Sequence, residues 1–223
     1  MNLLNLLYPP RCPFCGGILK EPGVCGQCMK NTTELTATVC RVCGAYPENC
    51  HCGNKAFAFQ RNVSAFTYEG APRNLLLRFK QRNRPQLGAF MAQRMFHHIR
   101  ARLGEEFDAV VFVPQSLRRG MERGYCPAKL LAEDLAKRFE CPCADVLQRI
   151  GGVQQKYLSS ADRWANAKES YSLKKNARVD GRVLLIDDLF TTGATLNACA
   201  ELLRKAGAEE VVCATFAITV KKS

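Results

Sequence analysis

No stretch of the 223-residue sequence approaches the roughly 20 consecutive apolar residues that a membrane span requires, so a helical integral membrane protein is not expected. The first ten residues carry Leu3, Leu4, Leu6, Leu7 and Tyr8 but neither a basic n-region nor an A-x-A-like cleavage site. That is a poor secretion signal and a better apolar strip for docking onto the rest of the protein, so a cytoplasmic location is expected. A Gly-x-x-x-x-Gly-Lys-Ser/Thr run is absent, which excludes a Walker-type nucleotide loop. No Ser/His/Asp or Cys/His set stands at recognisable spacing, so covalent catalysis through a side-chain nucleophile has no candidate. There is no solenoid-scale repeat and no low-complexity tract. Acid is also in short supply: 20 Asp and Glu face 32 Lys and Arg, for a net charge of +12. The excess is +2 over residues 1–60, +7 over 61–150 and +3 over 151–223. The middle third is therefore the electropositive part, and it suits phosphates, whether of a small metabolite or of nucleic acid.

What is present in quantity is cysteine. Eight of the 13 fall between Cys12 and Cys52. Cys12-x2-Cys15 and Cys25-x2-Cys28 form two knuckles, and Cys40-x2-Cys43 with Cys50-x-Cys52 form a second, less regular set. Each short turn presents two thiolates to one ion, and four thiolates close a tetrahedral structural zinc site. In a reducing compartment clustered pairs point to metal before disulfides, although a disulfide or redox role stays open on spacing alone. Two separate four-cysteine sites are the preferred arrangement; cross-bracing or a single occupied site also fits. His51, between two of the cysteines, reads as a bystander rather than a ligand. Cys126, Cys141, Cys143, Cys199 and Cys213 read as small buried apolar residues.

Composition shifts near residue 55, giving a Cys-rich module over 1–55 and a larger domain over 56–223. Strand-like and helix-like stretches alternate through the second part. Strands are expected over 61–68, 108–113, 182–186 and 210–220. Helices are expected over 72–81, 85–103, 128–138 and 194–206, the last ending in Arg204, Lys205 and Gly207. Residues 151–171 are polar and weakly periodic, a candidate mobile loop. Buried strands interleaved with helices argue for an α/β fold with a mostly parallel sheet. The length accommodates one such core and a small appended module.

The densest chemistry follows the apolar run 182–186. Asp187 and Asp188 stand at its carboxyl end, where α/β sheets bind ligands. Thr191, Thr192, Gly193, Ala194 and Thr195 then turn into a helix. Gly193 opens backbone conformations closed to other residues. The threonine hydroxyls and the first N–H groups of the helix make an anion nest. Phosphate donors beside acceptors for sugar hydroxyls are what a ribose 5-phosphate requires. Upstream, the run from Arg73 to Arg84 holds five basic residues and no acid. It reads equally as a solvated helix face or as a phosphate contact through Lys80. A single-stranded nucleic-acid track with Phe79 for stacking is a further reading. His97 and His98 read as surface residues without a role.

Residues 183–195 resemble the ribose-phosphate loop of type I phosphoribosyltransferases, and the wider chain resembles the ComF/GntX competence family. Phe66–Gly70, Leu77–Lys80, Val113–Ser116, Arg119, Arg123–Tyr125, Gln155, Leu158, Arg163 and Asn166 carry that likeness in order. The resemblance implies a type I phosphoribosyltransferase sheet behind a double zinc ribbon. It implies that Asp187 and Asp188 hold the ribose hydroxyls and that residues 191–195 hold the 5′-phosphate. It also implies that Ser116, Arg119, Arg123 and Lys80 lie near the diphosphate, that residues 151–171 form a hood, and that Mg²⁺ accompanies the substrate. Partners implied are phosphoribosyl diphosphate or a ribose-phosphate ligand, single-stranded DNA and other competence proteins. Two segments depart from the family pattern. Arg123-Gly124-Tyr125-Cys126-Pro127 replaces the usual R-G-F-N-Q, and residues 152–155 keep only the final Gln of T-P-P-Q. The lost amides leave a shared substrate open, while Pro127 suits the first turn of a helix.

Overall fold

The computed structural model describes residues 9–36, 39–53, 55–81, 84–151 and 160–220. The apolar strip at residues 1–8 and the departure at residues 152–155 lie outside the described residues. Five strands form one parallel sheet: β1 (Arg61–Thr67), β2 (Ala109–Phe112), β3 (Cys143–Ala144), β6 (Arg182–Phe190) and β7 (Glu210–Ile218). Their spatial order is β1-β7-β6-β2-β3. The period-2 alternation of side chains explains why the central strands read as unbroken apolar runs. Leu184 and Ile186 of β6, Val212, Ala214 and Phe216 of β7, and Val110 and Phe112 of β2 enter one core. Their neighbours Val183, Leu185, Val211, Cys213, Ala109 and Val111 enter the other. A sheet covered on both faces can carry no polar alternation.

Helices α2 (Gly70–Gln81), α3 (Leu87–Leu103) and α5 (Pro127–Arg138) supply the first core, with Phe79, Met91, Met95, Ile99, Leu131 and Leu135 essentially solvent-free. Helix α7 (Ala194–Lys205) covers the other face through Leu196, Cys199 and Leu203. Pro127 sits in the first turn of α5, where its missing N–H costs nothing. The strand expected over 182–186 in fact continues to Phe190, because β7 pairs with it as far as Phe190↔Ile218. Asp187 and Asp188 are thus strand residues.

Three elements lack the apolar stripe that would have announced them. Helix α4 (Leu117–Arg123) is set by its caps: Ser116 Oγ accepts from Arg119 N at 3.4 Å, and Gly124 takes a left-handed conformation. Strands β4 (Leu147–Arg149) and β5 (Tyr171–Leu173) form a separate antiparallel pair. Within the stretch expected to be a loop, α6 (Ser160–Ser170) is helical, and residues 152–159 lie outside the described residues.

The cysteine module lies against the sheet's β1 edge. Leu35 N donates to Ala65 O (3.0 Å), Thr67 N to Thr33 O (3.1 Å) and Asn62 N to Val42 O (2.7 Å). These bonds occupy an edge that would otherwise offer unpaired backbone to another chain. Short helix α1 (Gly26–Lys30) lies in the first ribbon, whose Cys12, Phe14 and Cys28 join the first core; Cys43 and Ala45 of the second ribbon join the opposite one. The two ribbons therefore straddle β1. Arg102 carries contacts of the same kind, its guanidinium donating to the carbonyls of Leu35 and Thr36. Among the later cysteines, Cys199 and Cys213 are fully buried as expected, but Cys126, Cys141 and Cys143 keep partial exposure because they sit at element ends. His98 also departs from expectation. Its ring packs 6.0 Å from that of Phe66, and burial pushes its pKa down to about 4 against the pull of Glu34.

Candidate functional site

The carboxyl ends of β2 and β6 open into a cleft of about 290 Å³. Asp187 and Asp188 line it, together with Phe190, Thr191, Gly193 and Thr195 of the following turn. Asp187 Oδ1 accepts from the N–H of Asp188 at 2.8 Å, which fixes the first carboxylate against its own backbone. Asp188, only 6% exposed, meets Lys80 Nζ at 2.6 Å from Oδ1. Burial foremost, and then the charge of Asp188, raise the Asp187 carboxyl to about 7, with Lys80 and the backbone bond pulling the other way. Asp187 keeps a partly exposed edge on the cleft, but protein surrounds it elsewhere. The pair therefore holds one charge readily and the second with difficulty, the usual outcome for adjacent carboxylates.

Gly193 starts α7 with φ +81°. A Cβ there would stand 2.6 Å from Phe57 Cε1 and 2.8 Å from Phe190 Cζ, so both conformation and space require glycine. Thr192 Oγ1 accepts from Ala194 N at 3.4 Å, and Asn197 N closes the first helical bond onto Gly193 O at 2.8 Å. Gly193, Thr195 and Leu196 at the start of α7 line the cleft, so the first turn of the helix borders it.

Cations ring the acids. Lys80, Arg119, Arg123 and Arg149 line the cleft with the two aspartates. Arg123 Nη1 donates to Gln115 Oε1 (3.2 Å), and Gln115 Nε2 donates to Tyr125 O (2.6 Å). The Tyr125 hydroxyl donates to the carbonyl of Phe79, tying the divergent Arg123–Pro127 segment to α2. Arg149 Nη1 donates to Tyr171 Oη at 3.3 Å, and the guanidinium carbon Cζ lies 5.4 Å from that ring's centroid. Four cations against two carboxylates, in a concave wall, favour a ligand with several negative charges.

Most residues expected from the sequence converge. Lys80, Arg119, Arg123, Asp187, Asp188, Thr191, Gly193 and Thr195 share the cleft. Ser116, Thr192 and Ala194 are not among its lining residues but adjoin them in the chain, Ser116 as the N-cap of α4 and Thr192 as an acceptor for Ala194 N. In the basic run beginning at Arg73 the expected stacking residue and two of the cations are otherwise engaged. Phe79 is 0% exposed and cannot stack on a base, Arg78 Nη1 donates to Pro13 O at 2.6 Å, and Lys80 is paired with Asp188. The helical period explains the scatter, since residues two apart face different directions. Gln115, Arg149, Tyr171 and Phe57 were not foreseen. Gln115 lay within a quoted motif; Arg149 and Tyr171 become neighbours only through the β4–β5 pair.

The cysteines gather into two sets, Cys12/Cys15/Cys25/Cys28 and Cys40/Cys43/Cys50/Cys52, each with its sulfurs within 4.8 Å of one another. Four thiol donors with no carboxylate or open position fit structural zinc. Cross-bracing is thereby set aside. His51 belongs to neither set, as its sequence context suggested; its Nε2 lies 2.7 Å from Thr219 O.

Residues 3–54 match the double zinc ribbon domain model, and residues 127–222 match the phosphoribosyl transferase domain model. Along nearly its whole length the chain is 31% identical to "Competence protein F" of Haemophilus influenzae, over 95% of this chain and 96% of that protein. The chain belongs to the ComF family. A further member, "Competence protein ComFC" of Bacillus subtilis, is 28% identical over 82% of this chain and 79% of its own. Among solved structures, a purine phosphoribosyltransferase from Pyrococcus horikoshii covers 58% of this ComF-family chain and 73% of its own, at 21% identity and a TM-score of 0.36. Among the described residues no helix is long and apolar enough to cross a membrane.

Proposed function

We propose that this ComF-family protein binds phosphoribosyl diphosphate, or a related ribose 5-phosphate ligand, in the cleft and transfers the phosphoribosyl group to a nitrogen nucleophile. The observation that carries the reading is the joining of two adjacent carboxylates to a helix start through a glycine turn, within a wall of four cations. Asp187 and Asp188 accept from the ribose 2′- and 3′-hydroxyls. The N–H groups at the start of α7, with Thr191 and Thr195, receive the 5′-phosphate. Lys80, Arg119 and Arg123 face the diphosphate. As the C1–N bond forms, the C1–O bond to diphosphate breaks and its electron pair leaves with the diphosphate. The guanidinium groups stabilise the charge gathering there, and the aspartates fix the ring. No side-chain nucleophile is needed. The Asp187 and Asp188 oxygens, with those of the diphosphate, are a hard donor set that suits Mg²⁺, which would draw charge from the leaving group when bound. The relatives' competence names point to DNA uptake as the process to examine.

Calorimetric titration with phosphoribosyl diphosphate and Mg²⁺ tests the site, followed by diphosphate release against a nucleobase panel. The double substitution Asp187→Asn/Asp188→Asn is expected to abolish binding in a protein that still unfolds cooperatively. Unchanged affinity would remove the assignment.

A further inference from the structure

We infer that His51 is a positioning residue through which the second ribbon shapes the phosphate-binding turn. The inference rests on the ribose-phosphate reading of the cleft. His51 lies between Cys50 and Cys52, and its backbone N–H donates to Cys43 Sγ at 3.4 Å, so the second cysteine set fixes where its ring can go. Nε2 is 2.7 Å from Thr219 O. A carbonyl only accepts, so this nitrogen carries the proton and donates. Thr219, just beyond β7, grips the loop twice: its N–H donates to Phe190 O at 2.9 Å and its hydroxyl to Thr191 O at 3.3 Å. The His51 ring also lies 5.6 Å from that of Phe190.

A second contact comes from the same stretch of chain. Phe57 fills the space beneath Gly193, and Ala58 N donates to Asn197 Oδ1 at 2.7 Å in the first turn of α7. His51, Phe57 and Ala58 thus hold the turn at its entry, through Thr219, and at its exit, through Gly193 and Asn197. Oriented N–H groups bind an anion well only when their directions are set beforehand, because a loop ordered on binding subtracts that ordering from the affinity. Among the described residues the first ribbon makes none of these contacts. Its Phe14 packs on Phe66 and Phe90, and Pro13 meets Arg78, on the other side of the sheet. It is an internal control.

The test compares the full-length wild type with His51→Ala, His51→Gln, Thr219→Val and Cys15→Ser. Each is measured for zinc content, melting temperature, affinity for phosphoribosyl diphosphate with Mg²⁺, and amide exchange at residues 191–195. His51→Ala should keep wild-type zinc, exchange faster at the turn and bind about tenfold more weakly, the loss of a single well-placed hydrogen bond. His51→Gln, whose amide can donate to Thr219 O, should recover most of the affinity. Thr219→Val, which removes only the hydroxyl, should weaken binding about threefold. Cys15→Ser should lose metal from the first set yet leave turn exchange and affinity near wild type. Unchanged exchange in His51→Ala overturns the inference, as does a loss that Gln does not restore or that Cys15→Ser reproduces. If the wild type fails to bind the diphosphate, the ribose-phosphate reading fails separately, and the exchange measurement still decides the brace.

Discussion

Replacing Asp187 with Asn removes the charge that the cleft tolerates least, and the cost of that charge can be worked through. Burial and Asp188 carry the carboxyl from 3.8 to about 7. A folded-state value raised above the unfolded one means that the folded protein holds the proton longer. Stability is then full below the unfolded pKa and falls as pH climbs towards the folded one. At about 1.4 kcal/mol per pH unit the ceiling is about 4 kcal/mol. Lys80 sits beside the pair and the cleft edge admits water, so about 1–2 kcal/mol is the expected size after screening. Asn keeps the shape and cannot ionise. The variant should therefore be more resistant to urea than the wild type at pH 8.5. Its advantage should shrink by pH 5.5, a range that keeps the ribbon thiolates on their metal. Urea midpoints at several pH values, with a constant m-value, measure this directly. A variant no more stable than wild type at pH 8.5, or one whose advantage does not narrow on acidification, would refute the reasoning. The same substitution should weaken ligand binding, so stability and function pull in opposite directions at this residue.

Two further outcomes can be checked. Gly193→Ala combines a left-handed backbone with a Cβ inside the van der Waals radii of Phe57 and Phe190. It should cost about 2–4 kcal/mol in denaturant unfolding and loosen the turn at 191–195. Protein purified without chelator should hold two zinc ions per chain by metal analysis, one for each four-thiol set; a folded, metal-free protein would contradict the assignment.

The layout of the fold was open to the sequence because the central strands are buried on both faces and the helices carry regular apolar stripes. Strand β1 and helices α2, α3, α5 and α7 fall within two residues of their expected limits. The misses have physical causes. Asp187 and Asp188 looked like the end of a strand because they are charged, but β7 supplies backbone partners past them. Helix α4 is held by its caps and offers no stripe to read. Of the site, the turn at 191–195 and its acids were legible because one local segment carries all the chemistry. Arg149 and Tyr171, 22 residues apart in the sequence, meet only through a strand pair. His51 looked like a bystander because its partner, Thr219, lies 168 residues away. Phe79 was misread because an aromatic in a basic run gives no sign of which way it faces.

The place of β1 has a consequence for synthesis. This strand is made early, yet its partner in the sheet is β7, so the sheet cannot be completed until residue 218 has left the ribosome. Through that interval β1 would have both edges free, the condition in which nascent strands pair with the wrong chain. The ribbon segments that bond to Asn62, Ala65 and Thr67 precede β1 in the chain and can be in place as soon as it emerges. The cysteine module would then cover one edge of its neighbour strand during translation, leaving a single edge to wait for β7.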